Sequence, residues 1–419
     1  MTRITILTYG SRGDVQPYVA LGRGLQRAGF DVRLAAPGVF ADFAAEHGLD
    51  FAPLAGDPAI LSQRLVDEAG LRPLRTMQAV IEYAMPLGLQ VLAQCKEAAR
   101  DADAILYGFL MTYAGHEAAQ DRGGIPEIFA QMYPMFVPTR AFPAMLFPRL
   151  PVFTPTANRL THHVFAALFR ASNELSYAAL RRRYPDLPPL RGWPFDGPRP
   201  PLVLFGYSPH VIPRPDDWPA QVHVTGFWTL DEEDPDWQPP PDLEAFLADG
   251  PPPVYIGFGS VVTRDITALT DLVLEAVALA GQRAVLLGGW GGLGRADLPD
   301  NVYRLDSAPH SWLFPRMAAV VHHGGVGTTA AGLRAGVPSV IVPFGSDQMY
   351  WGRHVQALGV GPAPLPRRQL TAQALAYAIR VAATHGPMRQ RAAALGQKLR
   401  AEDGVRRAVE IITRMLPLS

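Results

Sequence analysis

Short apolar runs alternate along this chain with longer stretches of helical period, and the alternation predicts an α/β protein. Residues 3–9 (RITILTY) read as a first strand, a glycine-bearing turn follows, and Pro17 stands where a first helical residue tolerates its missing N–H. The helix so started runs through Ala20, Leu21 and Leu25 to Gly29, a fitting C′ residue, and residues 31–36 supply a second strand. These elements make a βαβ unit. Further strands are expected at 104–107 and 127–130, which predicts a mostly parallel sheet covered on both faces in a domain at 1–215.

From Pro213 to Pro253 the pattern breaks into proline, tryptophan and acidic residues, including DEEDPDWQPPP, a composition that makes neither a regular helix nor a central strand. Residues 216–250 are therefore read as an interdomain linker. Alternation resumes with a strand at 254–258, a helix at 265–281, and strands at 284–288, 302–305, 318–321 and 339–342, which predicts a second Rossmann-like domain at 251–395. Residues 371–416 are helical throughout, and the tail at 396–419 is expected to pack away from the second sheet.

Composition narrows the picture. A chain of 419 residues with 48% hydrophobic content is too long for one ordinary core, which supports two domains. Basic and acidic residues balance at 38 each with no run of one sign, so a nucleic-acid partner is not expected. The single cysteine, Cys95, excludes an intramolecular disulfide and fits a reducing cytoplasm. The first residues form a strand pattern instead of a signal peptide, and no window reaches about 18 uninterrupted apolar residues. A soluble cytoplasmic protein is expected, with peripheral membrane contact left open.

Chemistry concentrates at residues 318–352, AAVVHHGGVGTTAAGLRAGVPSVIVPFGSDQMYWG. An apolar strand ends in His322 and His323, and Gly324, Gly325 and Gly327 lead through Thr328 and Thr329 into a helix. Glycines at such a turn let backbone N–H groups approach an anion, and the helix N-terminus adds its dipole and orphan donors. A diphosphate fits there; the plain alternative is a tight turn with a core histidine. Adjacent histidines in a strand point to opposite faces and make a poor metal pair. Asp101 with Asp103 and Asp234 with Asp236 mimic D-x-D, but one pair precedes a buried strand and the other lies in the linker, so no metal site is assigned. His162 and His163 read as helix surface or packing. The GGWGGLG stretch matches G-x-G-x-x-G at 289–294, yet RADLPDNVY follows with no helical period, so a dinucleotide site is rejected.

Residues 318–352, together with YGSRGDVQPYVALGRGL (9–25), SPHVIPRPDDWP (208–219), PPPVYIGFGSVV (251–262) and APHSWLFPRMAAVVHHGG (308–325), resemble glycosyltransferase family 1, most closely its sterol glucosyltransferase branch. The resemblance implies an α/β GT-B fold: two Rossmann-like domains with parallel sheets facing across a cleft, acceptor mainly in the first, UDP-sugar in the second. It also implies a C-terminal helix returning to the first domain. By motif match, His322 contacts the donor diphosphate with Gly325, Gly327 and Thr328 around it, and Ser260 reaches the same phosphates. Asp347 and Gln348 match an acid–amide pair that binds hexose hydroxyls. Taken alone, Ser260 could equally cap the next helix and Asp347–Gln348 would be an ordinary helix start. Ser307 and Ala331 stand where plant members carry a uracil-stacking tryptophan and a ribose-binding glutamate. Trp290 is a candidate substitute near the nucleotide, and packing explains it equally well.

Displacing UDP from an anomeric carbon needs an activated hydroxyl and a place for the leaving charge. Asp14, in the loop after the first strand, matches the aspartate of the sterol and antibiotic branches and is assigned as general base; its other reading is a turn or cap residue for a helix beginning near Pro17. The resemblance thus implies an inverting, metal-independent transfer of a hexose, glucose by preference, from UDP-sugar to a hydroxyl of an apolar acceptor such as a sterol, polyketide or other polycyclic alcohol. UDP-sugar is a cosubstrate and no cofactor is expected. Methionines and aromatics between 77 and 147 suit an apolar pocket, although core packing explains most of them. Two alternatives remain: a UDP-sugar epimerase or phosphorylase on the same scaffold, and a non-catalytic partner of another glycosyltransferase.

Overall fold

The computed structural model describes residues 1–58, 60, 87–147, 154–230, 237–259, 266–288 and 298–416. The chain divides into two units, Met1–Leu230 together with Asp403–Ser419, and Asp231–Glu402. In the first, β1 (Arg3–Leu7), α1 (Arg12–Arg27), β2 (Asp31–Pro37), α2 (Ala41–Glu46) and β3 (Asp50–Leu54) open the chain. Helical residues 87–98, β4 (Ala104–Tyr107), α3 (Thr112–Asp121), β5 (Glu127–Gln131), α4 (Pro155–Arg183), β6 (Leu202–Phe205) and β7 (Val222–Val224) follow. All seven strands pair in parallel in the order β3-β2-β1-β4-β5-β6-β7. The central strands β1, β4, β5 and β6 are buried on both faces, as their near-continuous apolar runs require, and the edge strands β3 and β7 are only partly covered.

The second unit holds α5 (Pro241–Ala248), β8 (Val254–Gly257), α6 (Ile266–Ala280), β9 (Ala284–Leu287), β10 (Val302–Leu305), the short α7 (His310–Leu313) and β11 (Ala319–His322). It continues with α8 (Val326–Ala335), β12 (Ser339–Ile341), α9 (Ser346–Ala357), α10 (Ala372–Thr384) and α11 (Gly386–Arg400). Its parallel sheet runs β10-β9-β8-β11-β12. One face packs on α6 and α10 through Val254, Val273, Val321, Leu375 and Ile379, and the other on Tyr255, Leu313, Phe314 and Val320.

The last helix, α12 (Gly404–Met415), belongs to the first unit. Asp403 caps it by accepting the Arg406 N–H at 2.8 Å. Two glycines let it lie close. A Cβ on Gly24 of α1 would fall 2.4 Å from Val405, and one on Gly404 would fall 2.5 Å from the Phe227 carbonyl oxygen. At Gly404 the close neighbour is backbone, which has no room to yield.

Three boundaries differ from the sequence reading. Helix α1 starts at Arg12 and not near Pro17, because Ser11 and Asp14 form a capping box that begins the helix earlier, leaving Pro17 inside it. Residues 216–250 contain β7, which completes the first sheet by pairing with β6, and α5, which starts on the last proline of the run, where a missing N–H is tolerated. Helix α11 ends at Arg400 in the second unit, so the tail that joins the first unit is shorter than 396–419.

Candidate active site

In both sheets the chain winds outward from a first strand and then returns to that strand's other side, at β1/β4 and at β8/β11. Connections on either side of such a reversal cross opposite faces of the sheet, opening a crevice at the strands' carboxyl ends. Asp14 and His322 each lie at one of these two reversals.

In the first unit, Gly10 has φ +140°, and a Cβ there would fall 2.4 Å from Asp14 Oδ2. That missing Cβ lets the carboxylate fold back to accept the Ser11 N–H at 2.8 Å and the Ser11 hydroxyl at 3.0 Å. Thr8 Oγ1 donates to the Asp14 carbonyl at 2.8 Å. Asp14 is thus a first-turn residue that helps cap α1 from within the helix, with Ser11 as the N-cap, and its side chain is nonetheless exposed. One turn on, buried Tyr18 donates to the Ala130 carbonyl at 2.6 Å, and burial with the nearby Asp14 charge pushes its phenol pKa up. Gly108, just after β4, closes on Tyr18, where a Cβ would lie 2.6 Å from the phenol oxygen.

In the second unit, His322 ends β11 opposite Gly257 of β8 and Ile341 of β12. Its ring is fully buried, and Nδ1 accepts the Gly324 N–H at 3.1 Å, which leaves the proton on Nε2. Nε2 has no hydrogen-bond partner among the described residues. Burial, with His323 and His310 adding to it, holds the pKa well below the usual histidine range, so the ring is neutral. Gly324, at φ +92°, has no room for a Cβ between Ile341 (2.7 Å) and the Gln348 carbonyl (3.0 Å). Gly325 caps α8, and Gly327 and Thr328 lie in its first turn, where N–H groups have no helical acceptor.

The start of α9 adjoins this turn. Gln348 spends its carbonyl oxygen as a cap, accepting the Phe344 N–H at 2.7 Å and the Gly345 N–H at 2.9 Å, which leaves its NH₂ to donate. Half-buried Asp347 has its pKa raised by burial, against the opposing hydrogen bonds from its own N–H and that of Gln348. The structure therefore brings His322, Gly325, Gly327, Thr328, Asp347 and Gln348 to one sheet edge. Ser260, Trp290 and the Asp234–Asp236 pair lie outside the described residues, as do Met77, Tyr83 and Met85.

The sequence reading named His323 beside His322 but gave it no place in the site. A Cβ on Gly259 (φ +64°) would lie 3.1 Å from its Cε1, and one on Gly325 would lie 2.4 Å from its Nε2, so the imidazole is wedged between the turns after β8 and β11. Those flanking glycines are its only sequence signal. Burial pushes its pKa down to about 4. Other candidates turn out structural. Asp101 pairs with Arg33 at 2.8 Å, and Asp103 accepts the Arg3 N–H at 2.8 Å. His162 contacts the Phe142 carbonyl at 2.9 Å through Nε2. Met111, Met132, Met135, Phe136 and Phe142 are buried core residues.

The buried neutral histidines set a pH dependence. Burial lowers the pKa of His322, His323 and His162, whereas in the unfolded chain they titrate near 6.5. Below about pH 6.5 the unfolded state binds protons that the native state refuses, so stability is full above that pH and falls toward pH 4. By this linkage His323 alone costs about 1 to 2 kcal/mol at pH 5.5. Thermal unfolding at pH 7.5 and 5.5 should show a lower midpoint in acid, with a smaller difference in His323→Gln; equal midpoints in the native chain would contradict it.

Comparison with known proteins agrees with this architecture. Residues 4–106 match the glycosyltransferase family 28 N-terminal domain, where the motif resemblance named family 1, and residues 285–415 match the erythromycin biosynthesis protein CIII-like C-terminal domain. A sterol 3-beta-glucosyltransferase of Arabidopsis thaliana is 38% identical over 99% of this chain, which spans 66% of that enzyme's length. The O-mycaminosyltylonolide 6-deoxyallosyltransferase of Streptomyces fradiae is 37% identical over 98% of this chain and 96% of its own. Among solved structures, the glycotransferase of kitacinnamycin superposes with a TM-score of 0.71 at 21% identity, covering 99% of each chain. A Streptomyces sp. SF2575 glycosyltransferase complexed with thymidine diphosphate gives 0.62 at 22% identity, covering 99% of this chain and 100% of its own. With two parallel α/β sheets and a relative matched over nearly the whole of both chains, this protein belongs to the GT-B glycosyltransferase family and is a glycosyltransferase.

Proposed function

We propose that this glycosyltransferase moves glucose from UDP-glucose to a hydroxyl of an apolar polycyclic acceptor, a sterol or polyketide, with inversion and without a metal. The reading rests on one juxtaposition: the unfilled N–H groups at the start of α8 beside His322, next to the Asp347 carboxylate and the Gln348 NH₂. Diphosphate oxygens suit the first set and hexose hydroxyls the second. His322, Gly325, Gly327, Thr328 and Ser260 would hold the diphosphate. Asp14 would take the acceptor hydroxyl proton as that oxygen bonds to the anomeric carbon; the bond from that carbon to phosphate breaks, and UDP leaves with the electron pair. A single displacement converts an α-linked donor into a β-glycoside. No cofactor is needed for this step. We place the protein in the cytoplasm, where its free, buried Cys95 is compatible with a reducing environment.

A thymidine diphosphate donor carrying a deoxysugar is a second reading, favoured by the Streptomyces fradiae relative, whose name states a 6-deoxyallosyl transfer, and by the bound nucleotide of the solved structure. Mass spectrometry of products from UDP-glucose and TDP-sugars against sterols and macrolide aglycones, with and without excess chelator, tests both. A β-glucoside formed from UDP-glucose, undiminished by chelator, is expected. Products from TDP donors only would favour the second reading. An α-linked product, or activity restored only by a divalent ion, would overturn the mechanism.

A further inference from the structure

We propose that the outer face of α4 docks on an anionic lipid surface, an interaction independent of the donor and acceptor reading. Helix α4 is 29 residues long, and it buries Asn158, Thr161, His162 and Phe165 on its inner side. Its outer side is apolar where a solvated helix should be polar: Leu160, Leu168 and Leu175 are 61%, 64% and 71% exposed, with Val164 at 39%. Ala167, Ala171 and Ala178 fill the same exposed face. Spacings of four, four and seven residues keep the large side chains on one stripe, about 22 Å long at 1.5 Å per residue. An exposed continuous stripe of this kind marks an interaction surface.

Charge decides the occupant. Arg181, Arg182 and Arg183 lie exposed at the C-terminal end of the helix, followed by Tyr184 at 45% exposure, whereas Arg159 lies off the stripe and near the Asp217 carboxylate. Arg170 is already paired with Asp196 at 2.6 Å and adds nothing. Glu174 is the one acid exposed along the stripe among its described residues. A second copy laid antiparallel on this face would set the arginine end of one helix against the positive N-terminal end of the other, a repulsive arrangement. Phosphate headgroups meet the arginine end, the leucines enter the acyl boundary, and Tyr184 suits the interface between them. The helix would lie flat, since no helix among the described residues is long and apolar enough to cross a membrane.

Co-sedimentation of the full chain with vesicles of phosphatidylcholine, alone or with about one third phosphatidylglycerol, tests this. Binding to the anionic vesicles is expected, weakened by salt. Leu168→Glu/Leu175→Glu and Arg181→Glu/Arg182→Glu/Arg183→Glu should each weaken it about tenfold or more, with unchanged thermal midpoints. Leu168→Gln/Leu175→Gln repeats the leucine test without added charge. Absence of vesicle binding by the native chain, or equal binding by folded variants, overturns the proposal. So does a dimer in analytical ultracentrifugation that the leucine variants dissociate without vesicle binding, which would make the face a self-association surface.

Discussion

Asp14→Asn is expected to lower turnover by about 100- to 10,000-fold, the usual contribution of a positioned general base, while leaving the folded state nearly as stable. Asparagine keeps the oxygen that accepts the Ser11 N–H and hydroxyl, so the capping box at the start of α1 survives and only the proton-accepting charge is lost. Asp14→Ala, by contrast, should lose both functions and cost a further 0.5 to 2 kcal/mol or so in stability. Measuring turnover with the productive acceptor alongside the thermal midpoint separates capping from chemistry. Near-native turnover in a stably folded Asp14→Asn enzyme would remove Asp14 as the base.

His322→Ala is expected to weaken nucleotide diphosphate binding by about ten- to a hundredfold, the scale of a hydrogen bond to a charged group. It should also destabilise the second unit by roughly 1–3 kcal/mol, because the Gly324 N–H loses its buried acceptor. That turn orients Gly325 and the start of α8, so on the proposed reading removing the ring would act on the donor both directly and through the backbone. Calorimetric titration with UDP, at a temperature where the variant is fully folded, checks the claim. Native affinity there would exclude His322 and its turn from the donor site.

Much of the second unit was legible from local pattern. Strands expected at 284–288, 302–305, 318–321 and 339–342 are found within one residue at each end, since each is a buried apolar run that reads without its neighbours. In the first unit β3, β6 and β7 went unread. β3 (DFAPL) carries Asp50 and Pro53 on a sheet edge and is held by pairing with β2, where Arg33 binds Asp50 at 2.7 Å. β7 is three residues long and exists because β6 pairs with it. β6 (LVLF) was readable as an apolar run after two prolines.

By itself the sequence determined two α/β units and a glycine turn that leads from the end of one strand into a helix. Period and composition are local quantities, and these features follow from them. Tertiary structure alone decided which turns meet. Strand order places Asp14 and His322 at the reversal points of their sheets, and His323 is wedged between Gly259 and Gly325, residues far apart in the chain. It also committed Asp14 and the Gln348 carbonyl to helix caps, laid α12 against Gly24, and left the leucines of α4 exposed. The physical reason is common to all: whether a glycine is required, a side chain is spent or an apolar face is covered depends on atoms brought close by folding, which no window of sequence contains.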